Sequence, residues 1–398
     1  MTATRRLFAL QLVAMGAMEM SGPFWSLHLR RLGDLSPHAL AWTSAIAYAG
    51  PMAMAMCTTS WWGRLGDRVG HKPMLLRALL ALAATQWWIA ATDSVAVILF
   101  VRLLQGALAG YIATAQAYGA RLVTRDARGA LMAQLQVATA IGSVTGPVLG
   151  GWLFDAQGFT SVNVWAGAAC LLCAALAWFV LPSVTPLAAR PADAPAQKAP
   201  LPAGVAGLLL GIVLVQAGKM MPQTFFGLYA DEVLHVSNRV TGLCYAGTAL
   251  GLCVAAPFWA RRFAQLAQAR VLAHVEWILW ACVAIVAVQA ITTNIVAFVL
   301  ARVLWGVCLA ALLPVFYGLL SREAEDAQQG RVLGAGNGAA KAGALAGAGA
   351  GGLALAWVPL SAMFWTVALL YAVAAVGMRL IRTRTTGFQH LQTTTGTS

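Results

Sequence analysis

Four ionisable residues stand in the middle of long apolar runs, in two pairs set 200 residues apart: Glu19 with Lys219, and Arg102 with Arg302. A carboxyl group in such a place can take up and release a proton, because burial favours its neutral form while a nearby cation favours the charged one. Cations in the same setting attract anionic or oxygen-rich groups, and a charge at mid-membrane depth is costly unless it meets a partner or water. Lys341 makes a fourth mid-run cation, facing the one mid-run carboxylate, Glu19; Glu276 lies near the end of its run and Asp93 at an edge. That excess suits an anionic or oxygen-rich solute better than a lipophilic cation. A static Glu19–Lys219 ion pair is the competing reading, although such pairs stabilise weakly because desolvation offsets much of the attraction. Arg102 and Arg302 likewise admit a structural role as donors to carbonyls. Trp25, Phe225 and Tyr229 follow the first charged positions as candidate aromatic walls, each with ordinary packing as its alternative. Asn337, four residues before Lys341, shares its helical face.

These residues need helices that hold them at depth. Sixty per cent of the 398 residues are hydrophobic and 10% charged, and the mean hydropathy is +0.74, more apolar surface than soluble cores of this size can hide. Stretches long enough to cross a ~30 Å hydrocarbon layer fall at 7–27, 40–62, 73–92, 95–117, 131–154, 162–182, 204–226, 240–260, 271–292, 295–320, 333–355 and 360–381. The expected architecture is an all-α membrane protein of twelve transmembrane helices.

A net charge of +13 would suggest nucleic acid in a soluble protein, but its distribution excludes that partner. Of the 26 Lys and Arg, four lie within apolar runs and only Arg30, Arg31 and Arg239 fall on one side; the rest flank the runs on the other. The basic side is expected to be cytoplasmic, with both termini there. Arg5 and Arg6 before an apolar run imitate a secretory signal, yet Glu19 interrupts that run and eleven more follow, so an uncleaved first helix is expected. All seven cysteines fall inside predicted helices, and Cys170-x-x-Cys173 has no His or carboxylate beside it, so small apolar packing is expected and no metal. The six histidines show no ligand spacing. Neither a Walker loop nor a dinucleotide fingerprint is present, which argues against ATP drive and against an enzyme.

The two halves repeat. Tyr48, Gly50, Trp62 and Arg64 recur 197 residues on as Tyr245, Gly247, Trp259 and Arg261. Gly142, Gly146, Gly150 and Gly151 recur 201 residues on as Gly343, Gly347, Gly351 and Gly352. Residues 183–203 are rich in Pro and Ala and read as an extended cytoplasmic linker. The expected organisation is a six-helix half at 1–182, that linker, a second half at 204–384 and a disordered tail at 385–398. Six spans per half is an even number, so the repeats must run parallel.

Three strings carry more specific signals. Gly63-Arg64-Leu65-Gly66-Asp67-Arg68-Val69-Gly70-His71-Lys72 sets an Asp-Arg pair between glycines; its second-half equivalent has Ala264 for Asp67. Arg102-Leu103-Leu104-Gln105-Gly106 follows in the fourth run. Gly142-Ser143-Val144-Thr145-Gly146-Pro147-Val148-Leu149-Gly150-Gly151 puts glycines at i, i+4 and i+8, a flat stripe for close helix approach, with Pro147 able to kink it. Its copy has Ala348 in place of proline.

Together these strings resemble the major facilitator superfamily over almost the whole chain. The resemblance implies two parallel six-helix halves enclosing a cavity that opens to alternate sides. The 63–72 string (Gly63, Arg64, Gly66, Asp67, Arg68, Gly70 and Lys72) would then be a gating loop, and the 142–151 string the helix motif of its drug:proton antiporter branch. Over about a dozen residues, Glu19-Met20-Ser21-Gly22-Pro23-Phe24-Trp25 also resembles first helices of bacterial siderophore exporters. What the resemblance implies is a monomeric, multi-pass protein of the bacterial inner membrane. It would export a small oxygen-rich or anionic molecule in exchange for protons, with Glu19 and Lys219 coupling the two and no cofactor beyond the proton gradient. Multidrug efflux of lipophilic compounds and import of a metabolite remain alternatives, as does a non-transporting membrane sensor.

Overall fold

A computed structural model describes residues 2–108, 110–183, 203–266, 268–322 and 328–395. The expected linker at 183–203 therefore lies almost wholly outside the described residues.

Helices account for nearly all of what is described: α1 Ala3–Glu19, α2 Trp25–Leu32, α3 Pro37–Val69, α4 His71–Ala90, α5 Val95–Leu108, α6 Tyr111–Leu122, α7 Arg128–Gln157, α8 Phe159–Val180, α9 Ala203–Glu232, α10 Asn238–Ala264, α11 Gln268–Ile291, α12 Ile295–Arg322, α13 Gln329–Ala354 and α14 Met363–Thr395. Helix is the natural form for this composition, since it satisfies every interior N–H and C=O within the segment. The pairs α1–α2 and α5–α6 each form one candidate span, so the described residues make twelve long helical segments. Among the described residues, eleven are long and apolar enough to cross a membrane. The exception is α13, where Gly and Ala predominate and Asn337 and Lys341 are polar, so length is present without hydropathy. Large side chains point outward in numbers a soluble protein would not tolerate, among them Phe179 at 83% and Trp277 at 73% exposure, as expected where the surrounding medium is lipid.

Helix ends follow local chemistry. The Ser36 hydroxyl accepts from the N–H of Ala39 at 3.2 Å and Pro37 takes the first position of α3, a site where no N–H is needed. Gly70, at φ +99°, closes α3 by donating its N–H to the Gly66 carbonyl, a left-handed turn that favours glycine. Two expectations change here. The string 63–72, read as a loop, is helical through Val69, and Gly70 is the whole junction before α4. Helix α14 continues to Thr395, past the 385 boundary at which the sequence places a tail.

Two compact units organise the contacts. The first comprises Met1–Gln197 with Gln223–Ala249 and Gly352–Trp357; the second comprises Lys198–Pro222, Leu250–Gly351 and Val358–Ser398. In the first, α1 packs on α7 and α8, α4 on α8, and α3 on α5. In the second, α11 lies against α12 and α14.

Candidate functional site

The first span is broken where its charge lies. Helix α1 ends at Glu19, a 3-10 turn covers Gly22–Phe24, and α2 resumes at Trp25. Ser21-Gly22-Pro23 explains the break, because Pro23 cannot supply an N–H to a continuing helix. The hydroxyl of Tyr48 on α3 donates to the carbonyl of Gly22 at 2.9 Å, satisfying a group the break releases. Half-buried Glu19 turns its carboxylate back over the break: a Cβ at Gly22 would stand 3.2 Å from Glu19 Oε2.

The glycine stripe of α7 seats against this segment. A Cβ added at Gly142 would come within 2.6 Å of Met15 Cβ; at Gly146, within 2.4 Å of the Gly16 carbonyl oxygen and 2.9 Å of Glu19 Cβ; at Gly150, within 1.9 Å of the Met20 carbonyl oxygen. Bare backbone is the only fit, which is what the i, i+4, i+8 spacing provides. In the second unit the copy behaves alike: Cβ atoms at Gly343 and Gly347 would meet the carbonyl oxygens of Val213 and Ala217 on α9 at 2.4 and 2.2 Å. The next glycine of the stripe, Gly151, faces elsewhere: a Cβ there would stand 2.1 Å from the Asn238 carbonyl oxygen of α10, and a Cβ at Gly242 of α10 would stand 2.1 Å from the Pro147 carbonyl oxygen.

Arg102 is brought to the same place. Its Nε and Nη2 donate to the Ala47 carbonyl at 3.0 and 2.8 Å, and Nη1 donates to Gln105 Oε1 at 2.5 Å. Its guanidinium lies over the Trp25 ring, 4.5 Å from the centroid, and Glu19 and Tyr48 are within electrostatic reach. Glu19, Tyr48, Trp25 and Arg102 thus form one polar-aromatic cluster. Trp25 is buried, edge-on to Phe159 at 5.1 Å. Phe225 and Tyr229 of α9 are buried in the same unit.

Lys219 and Arg302 belong to the second unit. Lys219 is half-buried, and its neighbour Gly218 admits Tyr371 of α14 so closely that a Cβ would sit 2.8 Å from Tyr371 Cζ. Arg302 is buried, 5.1 Å from the centroid of Trp305, which meets Tyr371 edge-on at 6.1 Å. Asn337 and Lys341 are exposed on α13 one turn apart, and Asn337 accepts from the Tyr317 hydroxyl at 2.8 Å. Among the described residues no three potential metal ligands converge.

At the basic end, Asp67 faces Arg121 at 3.8 Å and His71 at 3.6 Å. Lys72 donates to the carbonyls of Trp178 and Leu181 at 2.8 and 2.6 Å, and Arg77 stacks on Trp62 at 3.5 Å. Arg64 donates back to Ser60; Gly66 lies under the His71 ring, and Gly63 has open space beside it. In the second unit Ala264, the counterpart of Asp67, borders a cavity of about 250 Å³ with Trp259, Phe263 and Arg322.

The opposite end holds a network that the spacing of charges alone did not reveal. Arg30 and Arg31 each reach Asp231 at 3.3 Å, and Arg30 also pairs with Glu232. Asp155, in the last turn of α7, accepts from the Asn238 N–H at 3.1 Å, the Asn238 side-chain amide at 2.8 Å and the Arg239 N–H at 2.9 Å; Arg239 Nε is 3.7 Å away. The Ser26 hydroxyl donates to the Thr224 carbonyl. A usable signal existed: Arg30, Arg31 and Arg239 are the few basic residues on the less basic side, and each has an acidic partner there.

Comparison with known proteins adds a family. Residues 7–207 and 208–395 match the model described as Major Facilitator Superfamily. The chain is 31% identical over 158 residues to the staphyloferrin B transporter of Staphylococcus aureus, spanning 40% of this chain and 38% of that protein. It is 25% identical over 316 residues to the multi-drug resistance efflux pump PmrA of Streptococcus pneumoniae, 78% of each. Among solved structures, a bacterial homologue of the human lysosomal transporter Spinster superposes with a TM-score of 0.76 at 13% identity, over 95% of this chain and 96% of that one.

Proposed function

Since the chain belongs to the Major Facilitator Superfamily and is a membrane transporter rather than an enzyme, we propose that it exports a small oxygen-rich or anionic molecule, of siderophore type, in exchange for protons. The basic segments face the cytoplasm in this reading, and the membrane is the bacterial inner one. The observation that carries it is the seating of the α7 glycine stripe on Glu19. The motif whose resemblance implies proton exchange touches the one carboxylate that stands at a break in the first span. Unwound backbone beside an ionisable group is where transporters of several folds place their ion and substrate sites.

Glu19 is the proton carrier here. In the resting cluster its charge is balanced by Arg102, and a proton arriving from outside neutralises it. Neutral Glu19 no longer holds the cation, which changes how strongly the cationic groups hold an anionic solute. Lys219 and Arg302 supply the second unit's positive charge. The similarity to the staphyloferrin B transporter over 158 residues supports the solute class; the longer match to PmrA supports multidrug efflux as a second reading.

Proton coupling is tested in inside-out vesicles. Glu19→Gln keeps the protein folded and in the membrane but stops a pH gradient from driving accumulation. Full gradient-driven transport by that variant would remove Glu19 from the mechanism.

A further inference from the structure

We propose that Asp155 is a positioning residue for transport: its carboxylate caps the N-terminus of α10 from another helix and thereby holds the outer end of the first unit closed. The inference rests on the alternating-access exporter above, but on neither its solute nor Glu19.

The first N–H groups of a helix have no carbonyl one turn back and carry partial positive charge. In α10 the two leading N–H groups, of Asn238 and Arg239, both go to the carboxylate of Asp155. A cap normally comes from the residue just before its own helix; here it comes from a residue more than eighty positions earlier, at the end of α7. Each oxygen is engaged, Oδ1 by the Asn238 backbone and amide and Oδ2 by the Arg239 N–H, with the Arg239 guanidinium just beyond.

Beneath the cap the two helices meet almost without side chains. Gly151 of α7 lies on the Asn238 carbonyl, and Gly242 of α10 lies on that of Pro147, each so close that a Cβ would stand 2.1 Å away. The close approach of bare backbone packs the two helices without interlocking side-chain knobs, so no side chain must change rotamer for them to part. The polar cap adds directional hydrogen bonds across this contact. The other charged groups at this end are Arg31 of α2, over the Phe154 ring at 5.2 Å, and Arg30, Asp231 and Glu232, paired with one another. His28 of α2 stacks on Phe159 at 4.1 Å. None of these replaces the two backbone bonds.

Removing the cap should shift the closed-to-open ratio by about five- to tenfold, from the usual worth of a capping side chain. Thr241 of α10 is buried just below the cap, so Thr241→Cys reports opening. Full-length protein in cells is treated with a membrane-impermeant maleimide and labelling is read at that site by mass spectrometry, native cysteines being retained. Asp155→Ala should label about five to ten times faster and Asp155→Glu near the parental rate. Asp155→Asn should label at an intermediate rate. If Asp155→Ala folds poorly, the Glu and Asn variants still decide. Parental labelling in Asp155→Asn would overturn the proposal. The assay reads opening of this end rather than solute movement, so its failure is distinguishable from failure of the exporter reading.

Discussion

Arg102 shows why residue identity at a buried charge matters more than charge alone. Three of its nitrogens donate, two to Ala47 and one to Gln105, while its flat face covers Trp25. A planar fork can do all of this at once; an ammonium cannot. Arg102→Lys is therefore expected to lower stability by about 1–3 kcal/mol, from hydrogen bonds to a charged group left unmade. The measurement is thermal unfolding in detergent, and an unchanged midpoint would mean that the three bonds carry no weight. In the sequence Arg102 admitted a structural and a transport role equally. Its hydrogen bonds to Ala47 and Gln105 place it beside Glu19 and are compatible with both roles. Its mate Arg302 was equally visible, but nothing in a string of residues says that it lies near Trp305 and Tyr371. Asp155 went unseen because two of its partners are main-chain N–H groups, which every sequence contains, although Arg239 on the less basic side hinted at an acidic partner.

At the scale of elements, the α7 stripe gives the sharpest contrast between positions of one residue type. Gly150→Ala would place a methyl group 1.9 Å from the Met20 carbonyl oxygen, a contact with backbone that no rotamer relieves. Gly129, in the first turn of the same helix, has nothing within 4 Å. Gly150→Ala is expected to cost about 1–3 kcal/mol or more, as overpacking does. Gly129→Ala should be neutral or stabilise by up to about 1 kcal/mol. The yield of monodisperse protein and its melting temperature separate the two, and equal behaviour would mean that α7 is not pressed on α1. The stripe was legible because glycine spacing is periodic. The break after Glu19 was less so: Ser21-Gly22-Pro23 was present, yet the surrounding run is apolar enough to read through. At 63–69 the error ran the other way, with glycines read as a turn although the helix continues to Val69. Only Gly70, with its left-handed backbone, ends it.

For the molecule as a whole, hydropathy was sufficient to find the membrane class and, among the described residues, eleven candidate spans. It missed α13 as an exception, because small residues make a long helix without making an apolar one. Solute and direction lie beyond what helix placement decides, so they need a whole-cell measurement. A gene-deletion strain should retain the exported molecule inside and release less into spent medium, as comparative metabolite profiling reads. Restoring the gene with Lys219→Arg should recover part of that release and Lys219→Glu none. Resistance to ethidium-like dyes on overexpression, with unchanged secreted chelator, would instead favour the multidrug reading. Failure of uptake in the deletion strain would make the protein an importer.

The bare contact of α7 with α10 also bears on speed. Two faces without interdigitated side chains can part without any rotamer resetting, so little internal friction opposes the motion. The barrier then resides in the Asp155 cap and the charges beside it, and the pairs between Arg30, Arg31, Asp231 and Glu232 are partly open to water, where dissolved ions weaken them over a distance of about 8–10 Å. Outward opening should consequently quicken as salt outside the cell rises. Faster labelling of Thr241→Cys at physiological than at low ionic strength would show it, while a salt-independent rate would place the barrier elsewhere. A transporter built this way would take part of its tempo from the saltiness of the water around it.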